Sequence, residues 1–90
     1  MGTVLVTLKI MPESLEADLE KIKQTSKEII EKEQGKIGEV KEEPVAFGLK
    51  AVIIAFSLDE SKELEPIENQ IKSLENISSV QVIDMRRAFG

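Results

Sequence analysis

Leu49–Leu58 is a nearly continuous apolar run, interrupted only by Lys50 and Ser57. Read with period two, Ala51, Ile53 and Ala55 face one way, and Val52, Ile54, Phe56 and Leu58 face the other. A strand that is apolar on both faces belongs in the middle of a sheet. The chain has 90 residues, so everything else is arranged around that strand in one small domain, 1–90.

The remaining segments declare themselves by period. Val4, Val6, Leu8 and Ile10 alternate with Thr3, Thr7 and Lys9, which predicts a first strand that Pro12 ends. Leu5 breaks the polar side of that alternation, so the second face is not wholly wet. Leu15, Leu19, Ile22, Ser26, Ile29 and Ile30 recur at three- and four-residue spacing. They predict a long helix with Ser14 as its N-cap, Glu16 and Asp18 in its first turn and Gly35 as its stop. Ile37–Glu42 is short and polar and carries Gly38, the signature of an edge strand. Pro66 suits the first turn of a second helix with an Ile67, Ile71 and Leu74 stripe, ended by Glu75-Asn76. A start as early as Ser61 would instead kink that helix at Pro66. Val80–Ile83 form a last strand that runs into Asp84-Met85-Arg86-Arg87.

The order is strand, helix, strand, strand, helix, strand. Right-handed crossovers place both helices on one face of a four-stranded antiparallel sheet. This is the α+β ferredoxin-like sandwich, βαββαβ, with the first and third strands central and the second and fourth at the edges. That fold hosts many unrelated functions, so it does not assign one.

The chemistry left to the chain is narrow. It has no cysteine and no histidine, so thiolate sites, cysteine nucleophiles and the usual general base and metal ligand are absent. Carboxylates abound, but no pair is singled out, and a solvated face explains them. The loop Met11-Pro12-Glu13-Ser14 carries an acid and no glycine, a poor home for phosphate, and no glycine-rich loop exists elsewhere. The expectation is a protein that is no enzyme and needs no cofactor or metal. Twelve basic residues stand against seventeen acidic ones, for a net charge of −5. The first strand has no aromatic residue and the third only Phe56, so direct nucleic-acid binding is not expected. No apolar run approaches the roughly 20 residues that cross a bilayer. Met1-Gly2-Thr3 shows no basic segment ahead of an apolar one, and a cytoplasmic protein with no membrane partner is expected.

Three segments stand apart. In Pro44-Val45-Ala46-Phe47-Gly48, a large aromatic sits in a connector ahead of the buried strand. Phe47 is either an exposed anchor for a partner or a lid folded back on the helix-free face, and residue type alone slightly favours the lid. Arg86 and Arg87 are the only arginines. Arginines meet phosphates or carboxylates, although a solvated strand end is the simpler account here. Lys41-Glu42-Glu43 reads as a solvated acidic connector.

Met11-Pro12-Glu13-Ser14, Asp18-Leu19-Glu20, Glu43–Leu49 and Asp84-Met85-Arg86-Arg87, at these spacings, resemble the archaeal translation elongation factor 1-beta family. The resemblance covers essentially the whole chain. The block Pro44-x-x-Phe47-Gly48-Leu49 is also similar to the Pro-x-x-Phe/Tyr-Gly-Ile block of the eukaryotic exchange domain. The resemblance implies the ferredoxin-like fold by a second route. It also implies guanine-nucleotide exchange on elongation factor 1-alpha, the GTPase that carries aminoacyl-tRNA, met in its GDP-bound, GTP-bound and nucleotide-free forms. It places Phe47 and Gly48 at the position whose aromatic enters the GTPase in eukaryotic relatives. The C-terminal lysine of those relatives falls on Gly90, so the chain departs from their pattern there, and Arg86 and Arg87 match the archaeal branch. A small-ligand sensing domain of the same topology, dimerising through sheet edges, is the alternative.

Overall fold

The computed structural model describes residues 2–88. In chain order the elements are β1 (Thr3–Pro12), α1 (Leu19–Lys32), β2 (Lys36–Pro44), β3 (Lys50–Asp59), α2 (Glu65–Lys72) and β4 (Ile77–Ala88). A single 3₁₀ turn, Ala46–Gly48, joins β2 to β3. The four strands form one antiparallel sheet in the order β2-β3-β1-β4. The expected ferredoxin-like topology therefore holds, with β1 and β3 central.

One core explains the arrangement. Val6, Leu8 and Ile10 of β1 and Val52, Ile54, Phe56 and Leu58 of β3 point to the same face. There they pack with Ile22 and Ile30 of α1 and Ile67 and Ile71 of α2. Full burial of each such side chain contributes about 1.5–3 kcal/mol. On the opposite, helix-free face Ala51 and Ile53 are also buried, at 0% and 3% exposure. Ile53 lies directly between Lys9 and Lys41 in register, and long lysine stems cover apolar neighbours while keeping their ammonium groups in water.

Several boundaries depart from the sequence reading. Asp18, not Ser14, caps α1: its Oδ1 accepts from the Lys21 N–H at 3.2 Å. Leu15 consequently lies outside the helix and is exposed. At the other end it is Gln34, with φ 71, that takes the left-handed conformation. Gly35 serves close packing instead, because a Cβ there would stand 2.6 Å from Ile30 Cγ2. β2 extends through Lys41-Glu42-Glu43 to Pro44, so that acidic segment is strand, not connector. α2 starts at Glu65 with Pro66 in its first turn, and Leu74 packs on the core from just beyond its end. β4 is far longer than Val80–Ile83 and includes Arg86 and Arg87.

The two sheet edges differ in character. β2 exposes Lys36, Glu39, Lys41 and Glu43, and its register shifts at Gly38. β4 exposes Val82, Ile83 and Met85, and its register shifts at Ile83. No helix among the described residues is long and apolar enough to cross a membrane.

Candidate functional site

The β2–β3 connector is built to hold one side chain outside the fold. The Val45 N–H donates to the Leu49 carbonyl at 2.8 Å, and the Leu49 N–H donates to the Ala46 carbonyl at 3.2 Å. These bonds close a loop with Phe47 at its tip. Phe47 takes φ 61, ψ 30, and Gly48 follows at φ 77. Glycine adopts this left-handed region freely, whereas a bulky residue does so at a cost of roughly 1–2 kcal/mol. The Phe47 side chain is 93% exposed. It is therefore not a lid on the helix-free face. A ring that gains nothing from the core, on a backbone that disfavours it, is held outward by its loop.

In sequence, Gly48 is the one residue of the connector whose type suits a positive φ. No propensity of phenylalanine signals a positive φ, so the strained position was invisible before the loop was closed. Leu15 was missed as well, because its spacing to Leu19 and Ile22 fits a helix whether or not the helix reaches it. Asp18 ahead of Leu19 was the available cap signal.

Arg86 and Arg87 lie at the other end of the sheet. In register they stand opposite Leu5 and Val4, near the start of β1, whereas Phe47 sits beyond the Pro44–Lys50 pair that closes β2 and β3. From Leu5 to Pro12 a strand spans roughly 23 Å at its usual rise. The fold brings Phe47 and Gly48 together and keeps both arginines apart from them.

Adjacent residues on a strand face opposite ways, and the two arginines have different partners. Arg86 grips Asp84 with a two-pronged contact, Nε to Oδ2 at 3.0 Å and Nη2 to Oδ1 at 3.2 Å. This hydrogen-bonded pairing raises the Arg86 pKa still further. Arg87 Nη2 donates to Glu60 Oε2 at 2.7 Å, and the other oxygen of Glu60 accepts from the Gly2 N–H at 3.1 Å. Both guanidinium groups remain largely solvated. Gly90, the position matched to the eukaryotic lysine, lies outside the described residues.

A third charged group sits on the β2 edge. Lys23 of α1 reaches Glu42 Oε2 at 2.6 Å and Glu20 Oε2 at 2.9 Å. The hydrogen bond from Lys23 is the main cause that lowers the Glu42 pKa, and the bond to Glu42 is the main cause that raises that of Lys23. These contacts tie α1 to β2 and are structural.

Known proteins resemble this chain both in fold and in sequence. By fold, the chain is similar to the 30S ribosomal protein S6 from Thermotoga maritima, with a TM-score of 0.67 at 20% identity over 98% of this chain and 89% of that one. It is also similar to the ACT domain from the GTP pyrophosphokinase of Chlorobium tepidum, with a TM-score of 0.64 at 11% identity over 88% of this chain and 96% of that one. Identities this low show the shared fold alone. By sequence, it is 40% identical over 88 residues to elongation factor 1-beta of Methanosarcina acetivorans, covering 97% of this chain and 99% of the relative. It is 38% identical to the proteins of the same name from Methanocaldococcus jannaschii, over 98% of this chain and all of the relative, and Methanococcus maripaludis strain C6, over 94% and 97%. The model of the EF-1 guanine nucleotide exchange domain matches residues 5–88. With the domain matched almost end to end and archaeal relatives near 40% identity along their full length, the chain belongs to the family of EF-1 guanine nucleotide exchange domains.

Proposed function

We propose that this chain acts as a single exchange-factor domain on elongation factor 1-alpha, releasing GDP and admitting GTP, with Phe47 as the anchor of the contact. Exchange needs no bond-making chemistry. A GTPase holds its nucleotide through a phosphate loop and magnesium. A factor that binds the nucleotide-free form more tightly than the loaded form must, by linkage, weaken nucleotide binding by the same ratio. A rigid apolar side chain is suited to that role, because its pocket in the partner exists only in the shifted state.

The observation that carries this reading is the presentation of Phe47, 93% exposed on a left-handed backbone. Strain at an exposed residue has its rationale outside the fold. Gly48 allows the loop to turn directly after the ring. Arg86 and Arg87 form a second contact, about one strand length away, toward an acidic or phosphate-bearing surface of the GTPase or its nucleotide.

The test is GDP release from elongation factor 1-alpha, measured beside thermal unfolding of the factor. Phe47→Ala is expected to weaken binding to the nucleotide-free GTPase by on the order of 2–4 kcal/mol, the range of interface hot spots. The unfolding midpoint should be maintained or rise. Unchanged exchange by a folded Phe47→Ala protein would remove the anchor. Absence of binding to elongation factor 1-alpha by the parent protein would favour the ligand-sensing alternative.

A further inference from the structure

We infer that Leu15 is a second apolar contact for the GTPase, forming one two-pronged tip with Phe47. This rests on the reading of Phe47 as a partner contact and extends it to the β1–α1 loop. Because Asp18 caps α1, residues 13–17 are freed to make a turn of their own. The Glu13 N–H donates to the Asn76 carbonyl at 2.8 Å, which pins the base of the turn to the loop ahead of β4. The Ala17 N–H then donates to the Ser14 carbonyl at 3.3 Å, and the Glu16 N–H donates to Ser14 Oγ at 3.3 Å. Leu15 is left at the tip of the turn and is 70% exposed.

The turn abuts the Phe47 loop. A Cβ built on Gly48 would lie 3.5 Å from Leu15 Cδ2, so the two loops face each other with room for about one methyl group between them. Between them is a cleft of about 210 Å³ with Pro12, Ala17, Leu19 and Leu49 among its lining residues and Lys50 as its one charged one. A single exposed leucine or phenylalanine is ordinary, but two large apolar side chains on loops that line one cleft make a patch. Neither belongs to the core. Glu13, Glu16 and Asp18 are exposed around Leu15. The surface that fits this tip is an apolar pocket with a basic rim, and its association with the factor slows as salt rises.

The experiment measures affinity for nucleotide-free elongation factor 1-alpha at low and high salt, using the full chain. Leu15→Ser is expected to weaken binding about tenfold, as for a contact just below hot-spot rank, with unfolding unchanged. Leu15→Met, which keeps an apolar chain of similar volume, should restore most of it. The double variant with Phe47→Ala should fall short of the product of the two single effects, because neighbouring contacts couple. An affinity of Leu15→Ser within twofold of the parent overturns this inference, whatever Phe47→Ala does. An affinity of Phe47→Ala within twofold overturns the anchor reading, and with it the two-pronged tip.

Discussion

The two ends of the sheet prepare for a partner in opposite ways. At the Phe47 end the side chain is apolar, has no place in the core, and is held outward by backbone bonds across Val45–Leu49. At the other end Arg86 and Arg87 already have carboxylate partners in Asp84 and Glu60. The first end loses little freedom on binding, because its geometry is fixed beforehand. The second end must exchange one set of ion pairs for another, so its net gain is small even where the new contact is good. The difference predicts that affinity resides at the aromatic end, while the arginine end tunes rate and salt dependence.

The largest expected effect tests that division directly. Phe47→Ala should lower affinity for the nucleotide-free GTPase by roughly 30- to 1000-fold, at 1.4 kcal/mol per decade. The Arg86→Ala, Arg87→Ala double variant should lower it by roughly tenfold or less. Equal losses, read by titration of the same GTPase preparation, would erase the contrast.

Next in size is the loop itself. Gly48→Ala forces a Cβ onto a φ of 77 and should destabilise the fold by about 1–2 kcal/mol, read by chemical denaturation. Phe47→Gly relieves the same kind of strain one residue earlier and should stabilise by about 0.5–1 kcal/mol while losing the anchor. Two neighbouring substitutions with opposite effects on stability would establish that the strain serves presentation and not folding. Destabilisation by Phe47→Gly would mean that the ring supports the fold.

How much of this was legible before the fold was known depends on which physical force decides each position. Leu49–Leu58 identified the centre of the sheet because burial on both faces leaves a composition no edge strand needs, and Ala51 and Ile53 are indeed buried on the helix-free side. The polar edge at β2 was legible for the complementary reason. Ser14 reads as the cap and Asp18 as a first-turn acid because both residue types suit either place, and only the path of the loop arbitrates. Residue type slightly favours a lid at Phe47 because it reports hydrophobicity and carries no record of the left-handed backbone that turns the ring outward. The separation of Phe47 from the arginines follows from strand direction alone: a β2–β3 connection and the end of β4 lie at opposite ends of an antiparallel ferredoxin-like sheet.

Smaller still is the effect of the double arginine variant on the fold. Exposed ion pairs contribute little, so its thermal midpoint should stay within about 3 °C of the parent. A greater fall would make Arg87–Glu60 a clasp for the chain start at Gly2, and the end would then be structural.

The smallest effect is on pH dependence, away from both ends. The folded Glu42 carboxyl titrates below its usual value of 4.5 because Lys23 donates to it. A depressed folded pKa contributes stability that is fully present above the unfolded value and is lost as pH falls through the folded one. Glu42→Gln should therefore lower the midpoint slightly at pH 7, and its difference from the parent should shrink on acidification below pH 4.5. Parallel midpoint curves down to pH 3 would show that the pair adds nothing.

The unequal sheet edges have a consequence for how the molecule behaves in a crowd of its own copies. β4 leaves Val82, Ile83 and Met85 exposed on a strand whose outer edge has no partner among the described residues, the kind of edge that templates pairing with another chain. The net charge of −5 holds copies apart, and that repulsion weakens as salt shortens its reach or as acid neutralises the carboxylates. Colloidal failure should then begin at β4 and not at β2, whose exposed residues are mostly charged. Met85→Lys should postpone light scattering at high salt, and an unchanged onset would clear the β4 edge. The edge that carries the exchange factor's arginines is thus also the one on which its solubility depends.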